Sequence, residues 1–194
     1  LGRTAGRHAE IRHLSADELT ATDVGRGFSE AFAGQTVPTL SRMIGVVNEC
    51  GLGLNIELKP PASKSFCARV ARCLQESPVS AGTVLSSFEL QPLLHLRSLL
   101  DDPVFALIGN GAEILPVAMS RNIAWIHCSK DTLEPALIAE AHRAGIRANV
   151  WTVDDPAVAL RWAGLGIDKI CTNDPGRILA ALRERHPPAE ERRS

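Results

Sequence analysis

A chain of 194 residues, 45% hydrophobic and 22% charged, has an ordinary globular balance and length enough for one domain with a sizeable core. A formal net charge of −1, 4% aromatic residues and no tyrosine offer neither a field nor a stacking platform for nucleic acid, so none is expected as a partner. No apolar run reaches the ~20 residues of a membrane span, and five scattered cysteines without CxxC spacing point away from disulfides and zinc, toward a reducing, cytoplasmic setting.

The first 37 residues carry one short helix, opened by Ser15 and Glu18 at capping-box spacing, and then a glycine-punctuated loop. From residue 38 a unit repeats: short apolar strand, loop, amphipathic helix. A helix over "PTLSRMIGVVNECG", with Pro38 in its first turn and Gly51 at its end, leads into the strand "LGLNIEL". The helix "SKSFCARVARCLQES", the strand "TVLSSF" and the helix "LQPLLHLRSLL" follow. Next come the strand "VFALIG", a short helix near "EILPVAMS", the strand "AWIH" and the helix "LEPALIAEAHRAG". The strand "IRANVWTV", the helix "PAVALRWAGLG", the strand "DKICT" and the helix "PGRILAALRER" complete the series, before a polar tail at 186–194.

Strands alternating with helices predict a parallel sheet, in either a doubly wound fold or a (β/α)8 TIM barrel. No Gly-rich turn of the dinucleotide-binding kind is present; "GNGAEI" lacks the third glycine. The distinctive polar residues sit instead at strand ends: Glu57 and Lys59, Ser87, His127, Trp151 and Thr152, Thr172 and Asp174. Barrel enzymes build their sites there, so the barrel is favoured. A complete one needs eight strands and ~250 residues; six units are legible here, which predicts an incomplete barrel.

Residues two apart on a strand share a face, so Asn55, Glu57 and Lys59 point together into the interior. A carboxylate there suits a hard cation, and the ammonium beyond it suits a phosphate oxygen. The same spacing equally allows a structural ion pair. His127, at the end of "AWIH", is a candidate substrate contact, with a structural role as its alternative. Trp151 is a candidate pocket wall because "NVWTV" places Asn149, Trp151 and Val153 on one face, and core packing is its alternative. Ser86 and Ser87 lack a GxSxG elbow and read as hydrogen bonders at a strand end. Asp174 before Pro175 reads as a helix N-cap, and Trp125 and Trp162 as packing residues.

The runs "LSADELTATDVGRGFSEAFAGQTVPTLSRMIGVV", "GLGLNIELKP", "VLSSFELQPLLHLR" and "AHRAGIRANVWTVDDPAVALRWAGLGIDKICTNDP", in this order, resemble the glycerophosphodiester phosphodiesterases from about residue 14 to 183. That resemblance implies a TIM barrel with a small insertion near its start. It also implies hydrolysis of glycerophosphodiesters to glycerol 3-phosphate and an alcohol, with Ca²⁺ or Mg²⁺ as cofactor. Glu57 would then be a metal ligand, Lys59 would face the phosphate, and Phe88 and Trp151 would wall the glycerol end. Residues 1–37 would be a remnant of the insertion region, 38–185 a partial barrel and 186–194 a tail. The family's H-R and E-x-D strand motifs and its H-D motif, which supply two acid–base histidines and two further carboxylates, are carried by none of these strands. His8 and His13, in the polar segment, are no substitutes. These 194 residues alone are therefore expected to be inactive, the phosphodiesterase reading belonging to a longer parent chain. The alternative is a non-catalytic binding or oligomerising module whose unpaired strand edges invite a homo-oligomer.

Overall fold

The computed structural model describes every residue except 7, 8, 78, 81 and 186–194, so His8 and the expected tail lie outside the described residues. The chain forms two compact units, Leu1–Gly53 with Cys73–Ser80, and Leu54–Arg72 with Ala81–Ser194.

The first unit carries the helices α1 (Gly2–Ala5), α2 (Ala16–Thr20) and α3 (Leu40–Glu49). The capping box at α2 forms: Ser15 Oγ accepts from the Glu18 amide at 3.2 Å, and Glu18 Oε2 accepts from the Ser15 amide at 2.8 Å. Asp23 organises the loop that follows by accepting from the amides of Gly25, Arg26 and Gly34. Those bonds hold its carboxyl below the usual range, the Arg26 amide most strongly. Thr39 caps α3, so Pro38 lies before the helix and not in its first turn; Gly51 follows the helix at φ +64°. A proline fits at the approach because its fixed φ and missing N–H disturb no helical bond there.

The second unit alternates strand and helix. In chain order it holds β1 (Asn55–Leu58), α4 (Lys64–Glu76), β2 (Val84–Ser87), α5 (Leu90–Arg97), β3 (Phe105–Gly109) and α6 (Gly111–Ser120). Then come β4 (Trp125–Ser129), α7 (Pro135–Arg143), β5 (Arg147–Trp151), α8 (Pro156–Gly164), β6 (Lys169–Ile170) and α9 (Pro175–Arg185). The unit boundary falls within α4, after Arg72. Each of these strands was legible as an apolar run, but β1 and β6 are shorter than read, α6 begins two residues earlier, and β4 continues to Ser129.

All six strands are parallel and lie in sequential order, β1 to β6. A doubly wound sheet reverses its order at a switch point, whereas a barrel continues round. The sheet is curled: the Cys171 thiol beyond β6 feels the Glu57 carboxylate on β1, at the opposite end of the strand order. This is an incomplete TIM barrel. Alternation sorts the side chains. Leu58, Leu85, Phe105, Leu107, Ile126, Cys128 and Val150 point outward and are buried, as are Leu93 and Leu96 of α5, Leu115 of α6 and Ile138 of α7. Each such aliphatic side chain stabilises the fold by about 1.5–3 kcal/mol. The inward positions carry Glu57, Ser86, His127, Asn149 and Lys169, with Glu57 opposite Ser86, and His127 between Ile108 and Asn149.

Candidate functional site

The inward side chains at the C-terminal ends of the strands enclose a cleft of about 260 Å³. β1 supplies Asn55 and Glu57, with Lys59 just beyond it; β3 supplies Ile108, β4 His127, and β5 Asn149 and Trp151. Phe88, Thr152 and Cys171, each within two residues of a strand end, complete the lining. Sequence reasoning placed Glu57, Lys59, Phe88, Trp151 and His127 in a site, and all five line this cleft.

Lys59 Nζ lies 2.5 Å from Glu57 Oε1, with the lysine side chain 73% exposed and the glutamate 29%. Their angles make no hydrogen bond, and Glu57 Oε1 stays buried without one. The ammonium also stands 5.8 Å from the centroid of the Phe88 ring, a cation over an aromatic face. So exposed a lysine gives the pair little stabilising value, and its charge remains available to an anion at the mouth. Phe88 and Trp151 meet edge to face at 6.2 Å between centroids, forming an apolar wall with Trp151 Nε1 buried and unpaired.

His127 differs from its expected setting. It stands in the middle of β4, not at its end, and is 5% exposed, because Cys128 and Ser129 extend the strand past the apolar run "AWI". Its ring packs edge-on against Trp125, and its Nε2 has no hydrogen-bond partner. Burial, with the Lys169 charge second, pushes its pKa down from 6.5 to about 4, so the imidazole is neutral at pH 7. Below it, Lys169 Nζ sits 4.5 Å and the Arg147 guanidinium 5.5 Å from the centroid of the buried Trp125 ring.

The two serines part company. Ser87 faces outward, donates to the Leu58 carbonyl at 3.0 Å and accepts from the Glu89 amide, as a strand-end hydrogen bonder should. Ser86 faces inward, fully buried, and its Oγ makes no hydrogen bond, which corrects the same reading for that residue. Asp174 accepts from the Arg177 amide at the start of α9. Trp125 and Trp162 are buried. Val153 is buried but does not line the cleft.

Sequence reasoning passed over Cys171 and Ile108 as lining residues. The alternation Lys169, Cys171 would have found the first, had so short a strand announced its register. It also missed Asp154, which accepts from Thr172 Oγ1, the Asn173 amide and Asn173 Nδ2, and so fastens the segment after β5 to the one after β6. These bonds, the Asn173 amide foremost, hold the Asp154 carboxyl below its usual range.

Among the described residues Glu57 is the one carboxylate lining the cleft. Among the described residues no three of His, Cys, Asp and Glu stand together as a metal site would require. A hard cation takes six or more oxygen ligands, so the described residues do not by themselves fit one.

The model of the Glycerophosphoryl diester phosphodiesterase family matches residues 1–177. A curated glycerophosphodiester phosphodiesterase of Caldanaerobacter subterraneus subsp. tengcongensis is similar at 22% identity over 186 residues, covering 94% of this chain and 76% of the relative. Among solved structures, a phosphodiesterase of Oleispira antarctica in complex with its product sn-glycerol-3-phosphate superimposes with a TM-score of 0.86 at 22% identity, covering 94% of this chain and 76% of that one. A glycerophosphodiester phosphodiesterase of Agrobacterium tumefaciens str. C58 gives 0.75 at 22% identity, with 93% and 76% covered.

Proposed function

The chain belongs to the glycerophosphoryl diester phosphodiesterase family, and from that premise we propose that its cleft binds a glycerophosphodiester, the substrate of hydrolysis to glycerol 3-phosphate and an alcohol. In that reaction a water oxygen bonds to phosphorus, the bond from phosphorus to the alcohol oxygen breaks, and the water's proton passes to the departing oxygen. The observation that carries the reading is the pairing of Glu57, on β1, with Lys59, just beyond its end, both lining the cleft. In this reading Lys59 holds a phosphate oxygen at the mouth, Phe88 and Trp151 flank the carbon skeleton, and His127 touches substrate from below. Glu57, whose Oε1 is ion-paired with Lys59 here, would offer its carboxylate to a Ca²⁺ or Mg²⁺ ion completed by ligands beyond the described residues; no step is derived through that ion.

The test is equilibrium binding of sn-glycerol 3-phosphate by calorimetry. Lys59→Ala is expected to weaken it at least tenfold and Lys59→Arg to retain most of it; equal affinity in wild type and Lys59→Ala removes the reading. A second reading, a module that pairs with further copies, is favoured by one feature: among the described residues β1 and β6 each leave one edge without a strand partner. A dimer by light scattering, broken by proline on β6, would select it. Among the described residues no helix is long and apolar enough to cross a membrane. The five cysteines are free, and with them we place the protein in the reducing cytoplasm.

A further inference from the structure

The strands enclose a second cavity, at the end opposite the cleft. There the first residues of four strands, Val84 of β2, Trp125 of β4, Arg147 of β5 and Lys169 of β6, border a space of about 440 Å³ together with Val104 and Asp168. None of these residues lines the cleft. Val84, Ala106 and Trp125 pack as an apolar base. Two cations stand at the indole ring of that base, Lys169 Nζ at 4.5 Å and the Arg147 guanidinium at 5.5 Å from its centroid. Lys169 is turned into the barrel: next to burial, its charge is what holds the His127 pKa down. Both cations are open to solvent, so an anion can reach them. Among the described residues neither forms an ion pair. Asp168, the carboxylate at hand, is already committed: its Oδ2 accepts from the Ala148 amide at 2.8 Å and lies 2.8 Å from His142 Nε2. Two like charges held at one ring repel each other, and a shared anion removes that cost.

We propose that this basin, at the N-terminal ends of the strands, is an anion site that takes a phosphate group. The chemistry of the two cations sets the class. A guanidinium presents a fork of donors and an ammonium a compact charge, and together they match a dianion. A phosphate group, free or on a small ester, carries close to two negative charges above about pH 6, whereas a carboxylate carries one. The Trp125 ring holds both cations in place beforehand by cation–π contact, which lowers the ordering cost of capture. The basin does not depend on the function proposed above, since Glu57 and Lys59 take no part in it.

The experiment follows the indole ¹H–¹⁵N resonances of the three tryptophans in the full chain. Inorganic phosphate is titrated first and sn-glycerol 3-phosphate second, each against sodium chloride at matched ionic strength. Trp125 reports the basin, Trp151 the cleft, and Trp162, buried in α8, the integrity of the fold. Phosphate is expected to move Trp125 saturably. Arg147→Gln and Lys169→Gln are each expected to weaken that response at least tenfold with Trp162 unmoved, as the loss of one charge-assisted hydrogen bond should. Lys59→Ala should leave it intact. A response of Trp125 to the ester alone keeps the site and restricts it to esterified phosphate. Chloride that moves Trp125 as far as phosphate does, a response that survives both glutamine substitutions, or one lost with Lys59→Ala overturns the proposal. Movement of Trp151 without Trp125 also overturns it and leaves the phosphodiester reading standing. Movement of Trp125 while Trp151 ignores the ester keeps the basin and removes that reading.

Discussion

His127 shows how burial sets the chemistry of a single residue. Desolvation first, and the ammonium of Lys169 second, hold its pKa at about 4 against 6.5 for a free imidazole. Above pH 6.5 the ring is neutral in the folded and unfolded chain alike and adds no pH dependence. Between 6.5 and about 4 the unfolded chain takes up a proton that the folded one refuses, so stability falls as pH falls. Below about 4 both states carry the proton and this loss levels off. The difference corresponds to about 3 kcal/mol. Urea unfolding at steps between pH 7 and pH 4 should trace that loss, and His127→Leu should flatten it; an unchanged slope in the variant would assign the acid sensitivity elsewhere. The carboxyls of Asp23 and Asp154, held below the usual range by amide donors, lose their bonds at lower pH, which leaves the histidine window separate.

At the level of elements, the loop between α2 and α3 is held by close approach as much as by the Asp23 bonds. A Cβ built on Gly25 would lie 2.1 Å from the Phe32 carbonyl oxygen and 2.9 Å from Gln35 Cβ. The first of these is backbone and cannot turn aside. Gly25→Ala should therefore open the segment 23–36 and break the bond from the Gly34 amide to Asp23, read as faster cleavage there in limited proteolysis. Cleavage at the wild-type rate would show that the loop yields without cost. Nothing in the sequence announced this contact, since the packing partner is seven residues away in an irregular segment. The repeating strands and helices were legible for the opposite reason: their periods of two and 3.6 residues are written into consecutive positions. Legibility failed at the ends of elements. "AWIH" was read to stop where polar residues begin, yet Cys128 and Ser129 continue the ladder against Val150 and Trp151, and this turns His127 from a rim residue into a buried one. Ser86 was unreadable as an inward, unsatisfied hydroxyl beside its outward twin, because the assignment of faces in "SS" depends on register alone.

Over the whole molecule, the sequential parallel order of six strands gathers charge, an apolar wall and buried polar groups into one cleft, and the function proposed above predicts that binding and turnover separate there. In the proposed function, recognition of a glycerol phosphate rests on the Lys59 cation at the mouth, the Phe88–Trp151 flank and a contact from His127, all of which line the cleft. Hydrolysis also needs a group to take a proton from water and another to give one to the leaving oxygen. Among the described residues the one histidine lining the cleft is His127, and a pKa near 4 makes it a weak base at neutral pH. Glu57 alone supplies a carboxylate there. These 194 residues by themselves should therefore bind sn-glycerol 3-phosphate yet release choline from glycerophosphocholine at no more than the uncatalysed rate, with Ca²⁺ or Mg²⁺ present or absent. Initial-rate assays of choline release, run beside the binding titration on the same preparation, decide the matter. Metal-dependent release above background that disappears in Glu57→Ala would mean that this cleft completes its own proton transfer, and the separation of binding from turnover would fall.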